Sequence, residues 1–289
     1  MTVLLGAVAY DPKVVTIWDG FRAWLRGPGG LDFDFLLYSN YERQVTDLVD
    51  GRVDVAWNSP LAWVRARRLA AARGVLLTPV TMRDTDCDLR SVIVVRADSP
   101  VRSLADLAGR VVAAGAVDSP QATLLPLSLL RSAGLKPGGD VTVRRFDVGV
   151  GLHGDHIGGE RDAARALFAA EPGDRVDAAC MTDSNLLLFG REGVLPAGSV
   201  RVVAQTPAYD HCTMTAGPAA GSNAGIARFG ELLLGMDYAD AALRPLLDLE
   251  GLKEWRPPRL SGYAPLEQAV DEAGFYDAAG EITAADYQP

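Results

Sequence analysis

The sequence predicts an α/β protein of two lobes, each a mixed sheet flanked by helices, with a ligand cleft between them. Three observations predict it. Short runs rich in Val, Ala and Leu alternate with helical patterns, the mark of β/α construction. The alternation restarts after "SVIVVRADSP". Two extended stretches, near 91–97 and 201–216, join the two series. The expected division is a discontinuous first lobe, 1–92 plus 208–289, and a second lobe, 93–207. The two extended stretches would serve as hinges, closing the cleft on a small molecule.

In chain order, Val3–Tyr10 reads as a strand. Val14, Ile17, Trp18, Phe21, Trp24 and Leu25 then recur at helical spacing. Phe33–Ser39 is the second strand, followed by a helix opening near Asn40 and closing at Gly51. Val53–Trp57 is the third, and Ser59-Pro60 opens a helix with a capping residue and a proline at its first position. The basic run Arg65-Ala-Arg-Arg68 reads as that helix's solvated side. In the second series the strands are Arg110–Ala116, Val141–Phe146 and Asp177–Met181, and the helices Pro120–Ser132, Glu160–Ala170 and one from Asp183. Helices near Ile226–Leu234 and Ala239–Leu247 and a tail rich in Pro and Gly complete the chain.

Of the 289 residues 48% are apolar and 22% charged, and the net charge is −9. That composition suits a soluble globular chain and argues against a nucleic-acid partner, which needs clustered Lys and Arg. No run is long enough to span a bilayer. Cys87, Cys180 and Cys212 are widely spaced and odd in number, so no disulfide framework is expected. Cys180, in "DAACM", reads as a core residue. No basic n-region or cleavage-like segment precedes the first strand, which leaves two compartments open: cytoplasmic, or extracytoplasmic with an export signal removed.

Two segments carry the pointed chemistry. At Ser119-Pro120-Gln121-Ala122-Thr123 a strand runs into a capped helix whose free N–H groups, hydroxyls and dipole favour an anion. Trp57-Asn58-Ser59-Pro60 repeats the device in the first lobe, and two such helix starts can grip a tetrahedral oxyanion without a lysine. Equally, any βα unit needs a capped helix. The second pointed feature is the histidines. Two of the three, His153 and His156, stand in "VGLHGDHIGGE", and His211 adjoins Cys212 in "PAYDHCTMTA". His153, His156 and His211 or Cys212 can be assembled into a Zn or Fe site, with Asp155 or Glu160 adding a carboxylate. Without metal, the same histidines would bond an anionic ligand or the loop backbone. If 209–214 is a strand, His211 and Cys212 point to opposite faces.

"DLVDGRVDVAWNSPLAWVRA", "VVRADSPVRSLADLAGRVVAAGAVDSPQATLLPLSLLRSAGL", "GGERDAARALF", "GDRVDAACMTDS" and "TPAYDH" together resemble the phosphonate/phosphate/phosphite-type solute-binding proteins of ABC transporters, over residues 5–250. The resemblance implies the type II periplasmic-binding-protein fold, a small anionic ligand and a transporter permease as partner. It implies an oxyanion cradle at Ser119, Gln121, Ala122 and Thr123, first-lobe contacts from Asn58 and Ser59, and a contact to the ligand's polar end from Tyr209, Asp210 and the adjoining His211. Tyr10 would line the cleft mouth. Where the family has "GSHDA" this chain has Gly159-Glu160-Arg161-Asp162-Ala163, so Glu160 replaces the usual ligand-facing histidine. Two alternatives share the scaffold: a cytoplasmic enzyme using His153, His156, His211, Cys212 and Glu160, and a cytosolic ligand sensor.

Overall fold

The structure, a computed structural model, describes residues 2–289; Met1, the first residue of the expected first lobe, lies outside the described residues. The first half-lobe runs β1 (Val3–Val8), α1 (Lys13–Arg26), β2 (Phe33–Tyr38), α2 (Tyr41–Val49), β3 (Val55–Asn58), α3 (Pro60–Ala72) and β4 (Thr78–Arg83). The second series is β5 (Ser91–Arg96), β6 (Val111–Ala114), α4 (Leu125–Ser132), β7 (Thr142–Arg145), α5 (Gly158–Ala166), β8 (Ala178–Thr182), α6 (Asp183–Arg191) and β9 (Val200–Gln205). The chain returns through β10 (Thr213–Ala216), α7 (Ala224–Leu234), α8 (Arg244–Glu250) and β11 (Trp255–Arg256) to α9 (Ala264–Ala273).

Two sheets result, ordered β11-β4-β10-β3-β1-β2 and β7-β6-β8-β5-β9. Both are mixed, as expected: β1 pairs in parallel with β2 and β3, while β10 is antiparallel to β3 and β4. The central strands are buried on both faces because helices cover both sides of each sheet, and alternation gives way to continuous buried runs such as Ser91–Val95 in β5.

The expected hinge strands are corrected by the topology. Residues 91–96 and 200–205 are β5 and β9, antiparallel neighbours inside the second sheet. The chain crosses between sheets instead at 84–90 and 206–212. These two segments are tied by paired backbone bonds between Leu89 and Tyr209 (2.9 Å each way) and by His211 N–H to the Asp86 carbonyl (2.8 Å).

The tail rich in Pro and Gly carries a further helix that the sequence reading does not include. It forms α9, whose Leu266, Ala269 and Val270 join Phe275, Tyr276 and Tyr287 in one buried cluster with Leu61 and Val64 of α3 and Leu124 and Leu125 at the start of α4. It therefore packs on both lobes. The basic run of α3 is its docking face rather than a solvated one. Arg67 and Arg68 pair with Glu267 and Asp271 of α9 (2.6 and 2.8 Å), and Arg65 is buried, bonding the Gly280 and Glu42 carbonyls.

Candidate ligand site between the lobes

After β6 the chain enters its helix through one wide π-type turn, Pro120–Leu124, capped by Ser119, whose Oγ accepts from Ala122 N–H (3.1 Å). The Ser119 carbonyl takes the N–H groups of both Thr123 and Leu124 (3.1 and 3.0 Å), so much of the donor set expected for an anion is used within the turn. Thr123 departs furthest from expectation. Its hydroxyl donates to the Ala116 carbonyl (2.7 Å), and the residue lines a different cavity, on the tail side of α4.

Ser119 and Gln121 face the glycine-rich loop 148–157. Gln121 Nε2 donates to the Gly154 carbonyl (2.7 Å). Gly154 has φ +77°, and a Cβ there would collide with Ser119 Oγ, so glycine permits both the backbone turn and the close approach. Asp118 fixes the loop further, accepting from Gly151 N–H (2.7 Å) and His153 N–H (3.1 Å).

The same loop reaches the first lobe. Ser59 caps α3 by accepting from Ala62 N–H (3.1 Å), and its Oγ lies 2.7 Å from His153 Nδ1. His153, at φ +51° and fully buried, stacks on Tyr41 with ring centroids 4.7 Å apart, and its Nε2 meets Glu42 Oε1 at 3.0 Å. Nε2–H donates to the carboxylate, and Nδ1 and the serine hydroxyl share the second bond. Glu42 also receives the hydroxyls of Tyr276 (2.6 Å) and Tyr287 (2.7 Å) and an ion pair from Arg65 Nε (3.0 Å). Burial by itself raises this carboxyl, but His153, Arg65 and Tyr276 outweigh it and hold it at about 2. Asn58, beside Ser59, accepts from Gln44 Nε2 through Oδ1 (3.0 Å), and its Nδ2 is buried without a partner.

A second polar cluster flanks the first crossing. Arg83 grips Asp86 through Nε (2.6 Å) and Nη2 (2.9 Å), reaches the Glu250 carbonyl with Nη1 (3.0 Å) and lies over Trp57. Burial opposes the Asp86 charge, yet Arg83 and His211 bring its carboxyl down to about 2. Glu250 goes the other way, burial pushing it up to about 7 despite Arg83. From the second lobe, Asp155 accepts a hydrogen bond from Tyr41, and burial raises its carboxyl against the pull of His211. Burial likewise raises Glu160, whose Oε2 accepts from Thr182 N–H (3.0 Å) and Asn185 Nδ2 (2.8 Å) and whose Oε1 has no partner. Tyr10 is half-buried and packs against the first-lobe core. Burial, then Glu250 and Asp155, drive its phenol well above the ordinary range.

The three histidines do not share a site. His153 is locked between Ser59 and Glu42. His156 is exposed, its Nδ1 accepting from Gly158 N–H (3.2 Å). His211 Nδ1 lies 3.1 Å from Cys212 Sγ and 3.5 Å from Asp86 Oδ1. Residues 211–212 precede β10 rather than lie within it, so the two side chains adjoin, contrary to the opposite faces a strand would impose. Among the described residues, Asp86, His211 and Cys212 are the one close group of potential metal ligands, and both Asp86 oxygens are already engaged by Arg83. The Zn or Fe site for which His153, His156 and His211 are candidates is therefore not assembled.

Tyr209 and Asp210 are also redirected. Tyr209 is fully buried in the tail-side cluster. Asp210 is fully buried and takes Arg259 Nε (2.6 Å) and Asp88 N–H (3.1 Å). Gly262 packs so tightly on it that a Cβ would overlap the carboxylate. Both residues hold the tail to the crossing. The residues that sequence reasoning missed are Tyr41, Glu42, Arg83, Asp86, Glu250, Tyr276 and Tyr287. Glu42 follows the helix cap Asn40 and reads as a dipole-favoured surface acid, and the spaced tyrosines of "FYDAAGEITAADY" were the available sign that the tail is packed.

Residues 7–263 match the model of a family described as the phosphonate periplasmic substrate-binding proteins of ABC transporters. The chain belongs to this family. Such a protein takes a small-molecule ligand and serves a transporter permease. Solved structures show the same two-lobed fold. PhnD1 of Prochlorococcus marinus, in complex with methylphosphonate, is 18% identical with a TM-score of 0.67, over 94% of this chain and 98% of that one. A Xanthomonas citri protein bound to ATP is 20% identical with a TM-score of 0.66, over 94% and 97%. The periplasmic aliphatic sulphonate binding protein SsuA of Escherichia coli is 21% identical with a TM-score of 0.57, over 94% and 86%. No curated protein sequence matches the chain significantly. Among the described residues no helix is long and apolar enough to cross a membrane.

Proposed function

We propose that this chain binds a small oxyanion, phosphonate- or phosphate-like, between its lobes and presents it to an ABC permease. The observation that carries the reading is the meeting of two capped helix starts, Ser59 in one lobe and Ser119 in the other, on one loop, 148–157. Our binding set is Tyr10, Asn58, Ser59, Ser119, Gln121 and Ala122, with His211 and the buried Glu160 beside them. Asn58 Nδ2 supplies a buried donor that has no partner within the protein, and a buried orphan N–H gains most from an oxyanion. Burial raises the Glu160 carboxyl, and its Oε2 is already committed to Thr182 N–H and Asn185 Nδ2, which weakens its opposition to an anion.

Release and entry then require the lobes, residues up to about 90 with 208–289 against the segment between, to part about the crossings 84–90 and 206–212. The His153 contacts to Ser59 and Glu42 and the Tyr41–Asp155 bond would break in that movement. The test is titration calorimetry with methylphosphonate, inorganic phosphate and methanesulfonate, repeated on Gln121→Asp. Saturable binding of one of the phosphorus oxyanions, abolished by the added carboxylate, is expected. Affinity unchanged in Gln121→Asp would remove this helix start from the site.

A further inference from the structure

Behind the helix start, on the face of α4 away from Gly154, lies a cavity of about 420 Å³. Its floor is apolar, with Leu124, Leu127 and Val143 from the second lobe and Phe275 and Ala284 from the tail. Two arginines stand at its edge. Arg145 Nη1 is paired with Asp286 of the tail. Arg131 is different: its Nη1 is buried with no hydrogen-bond partner, and the nearest carboxylate oxygen, on Glu272, is 4.0 Å away. Only this long ion pair holds the guanidinium, and the Arg131 side chain is 30% exposed, which leaves its outer edge open to a carboxylate, the acceptor whose shape fits the guanidinium fork.

From this cavity we infer a second ligand site, for a small amphiphilic carboxylate whose apolar body lies on Leu124, Leu127 and Phe275 and whose head meets Arg131. The volume is within the range of small-molecule sites. Most of the wall is second lobe, and Ala273, Phe275, Ala284 and Asp286 of the tail close its other side. Because Tyr276 and Tyr287 of the same tail bond Glu42, a ligand here reinforces the tail's grip on both lobes. The cavity shares no lining residue with the proposed cleft set.

The probe is octanoate, titrated calorimetrically into the full chain, with octanol as its uncharged counterpart. One-to-one octanoate binding is expected, weakened at least about tenfold in Arg131→Met and several-fold in Arg131→Lys, which keeps the charge but loses the fork. Arg131→Met loses only the long, partly exposed ion pair to Glu272, so its Tm should stay near the parent's; should it fail to fold, Arg131→Lys decides. Octanoate that does not bind, binds Arg131→Met or Arg131→Lys as tightly as the parent, or is matched by octanol overturns the inference.

Discussion

His153 Nδ1 lies 2.7 Å from Ser59 Oγ, so a loop of the second lobe is fastened to the helix cap of the first. The ring's other nitrogen is held by Glu42, which makes this histidine a latch rather than a metal ligand. His153→Ala should destabilise the protein by roughly 2–4 kcal/mol, because Glu42 stays buried with one partner fewer. Urea denaturation measures it, and small-angle scattering should show a more extended particle. An unchanged midpoint with an unchanged scattering profile would mean the latch carries no load between the lobes.

The carboxyls define two pH windows. Glu42 and Asp86, both held at about 2 when folded, bind protons more weakly than in the unfolded chain. Their stability is present above about pH 4 and lost as pH falls towards 2. Glu250 has the opposite sign. Its folded value of about 7 lies above the unfolded one, so its contribution is full below about pH 4 and is lost as pH rises to 7. Tm against pH should therefore slope down between about 4.5 and 7, and Glu250→Gln should flatten that slope. A slope surviving in Glu250→Gln would assign it to another group.

Thr123→Ala should leave anion binding unchanged, because the hydroxyl serves the Ala116 carbonyl. It should cost about 1 kcal/mol of stability, the net worth of one such bond. The sequence alone, reading Thr123 as part of the cradle, points instead to weaker binding by a similar amount. Calorimetry beside thermal melting distinguishes the two.

Gly154→Ala combines a positive φ with a clash against Ser119 Oγ. A loss of about 1–3 kcal/mol is expected from the backbone strain alone, together with a loop that no longer seats on the helix start. Proteolysis should then nick 148–157 faster than in the parent. Equal rates would show the loop can shift without cost.

The β/α rhythm is legible because each strand is a short apolar run and the helices at Ser59 and Ser119 carry their caps and prolines in sequence. The crossings are harder. β5 and β9 have the extended look of a linker, and only their antiparallel pairing shows that they belong to one sheet. Site geometry is less legible still. Nothing local in "NYERQ" announces that Glu42 will accept from a histidine and two tyrosines and pair with an arginine, since Tyr276 and Tyr287 come from more than two hundred residues away. The opposite error arose at Tyr209 and Asp210, where adjacency to a family-like stretch suggested a ligand contact and the tail had taken both side chains.

The order of strands in the two sheets also bears on how the chain folds while it is being made. The second sheet is built from one continuous segment, β5 to β9, whereas the first needs β10 and β11 from far downstream. On the ribosome the middle of the chain can therefore complete its own sheet first, with the early strands β1 to β4 waiting for their partners. Glu42 waits longest, its charge left in water until Tyr276 and Tyr287 emerge. Stalled nascent chains ending near residue 250 should accordingly resist protease across 91–205 while remaining cleavable within 2–83, and equal protection of both would contradict this sequence of events.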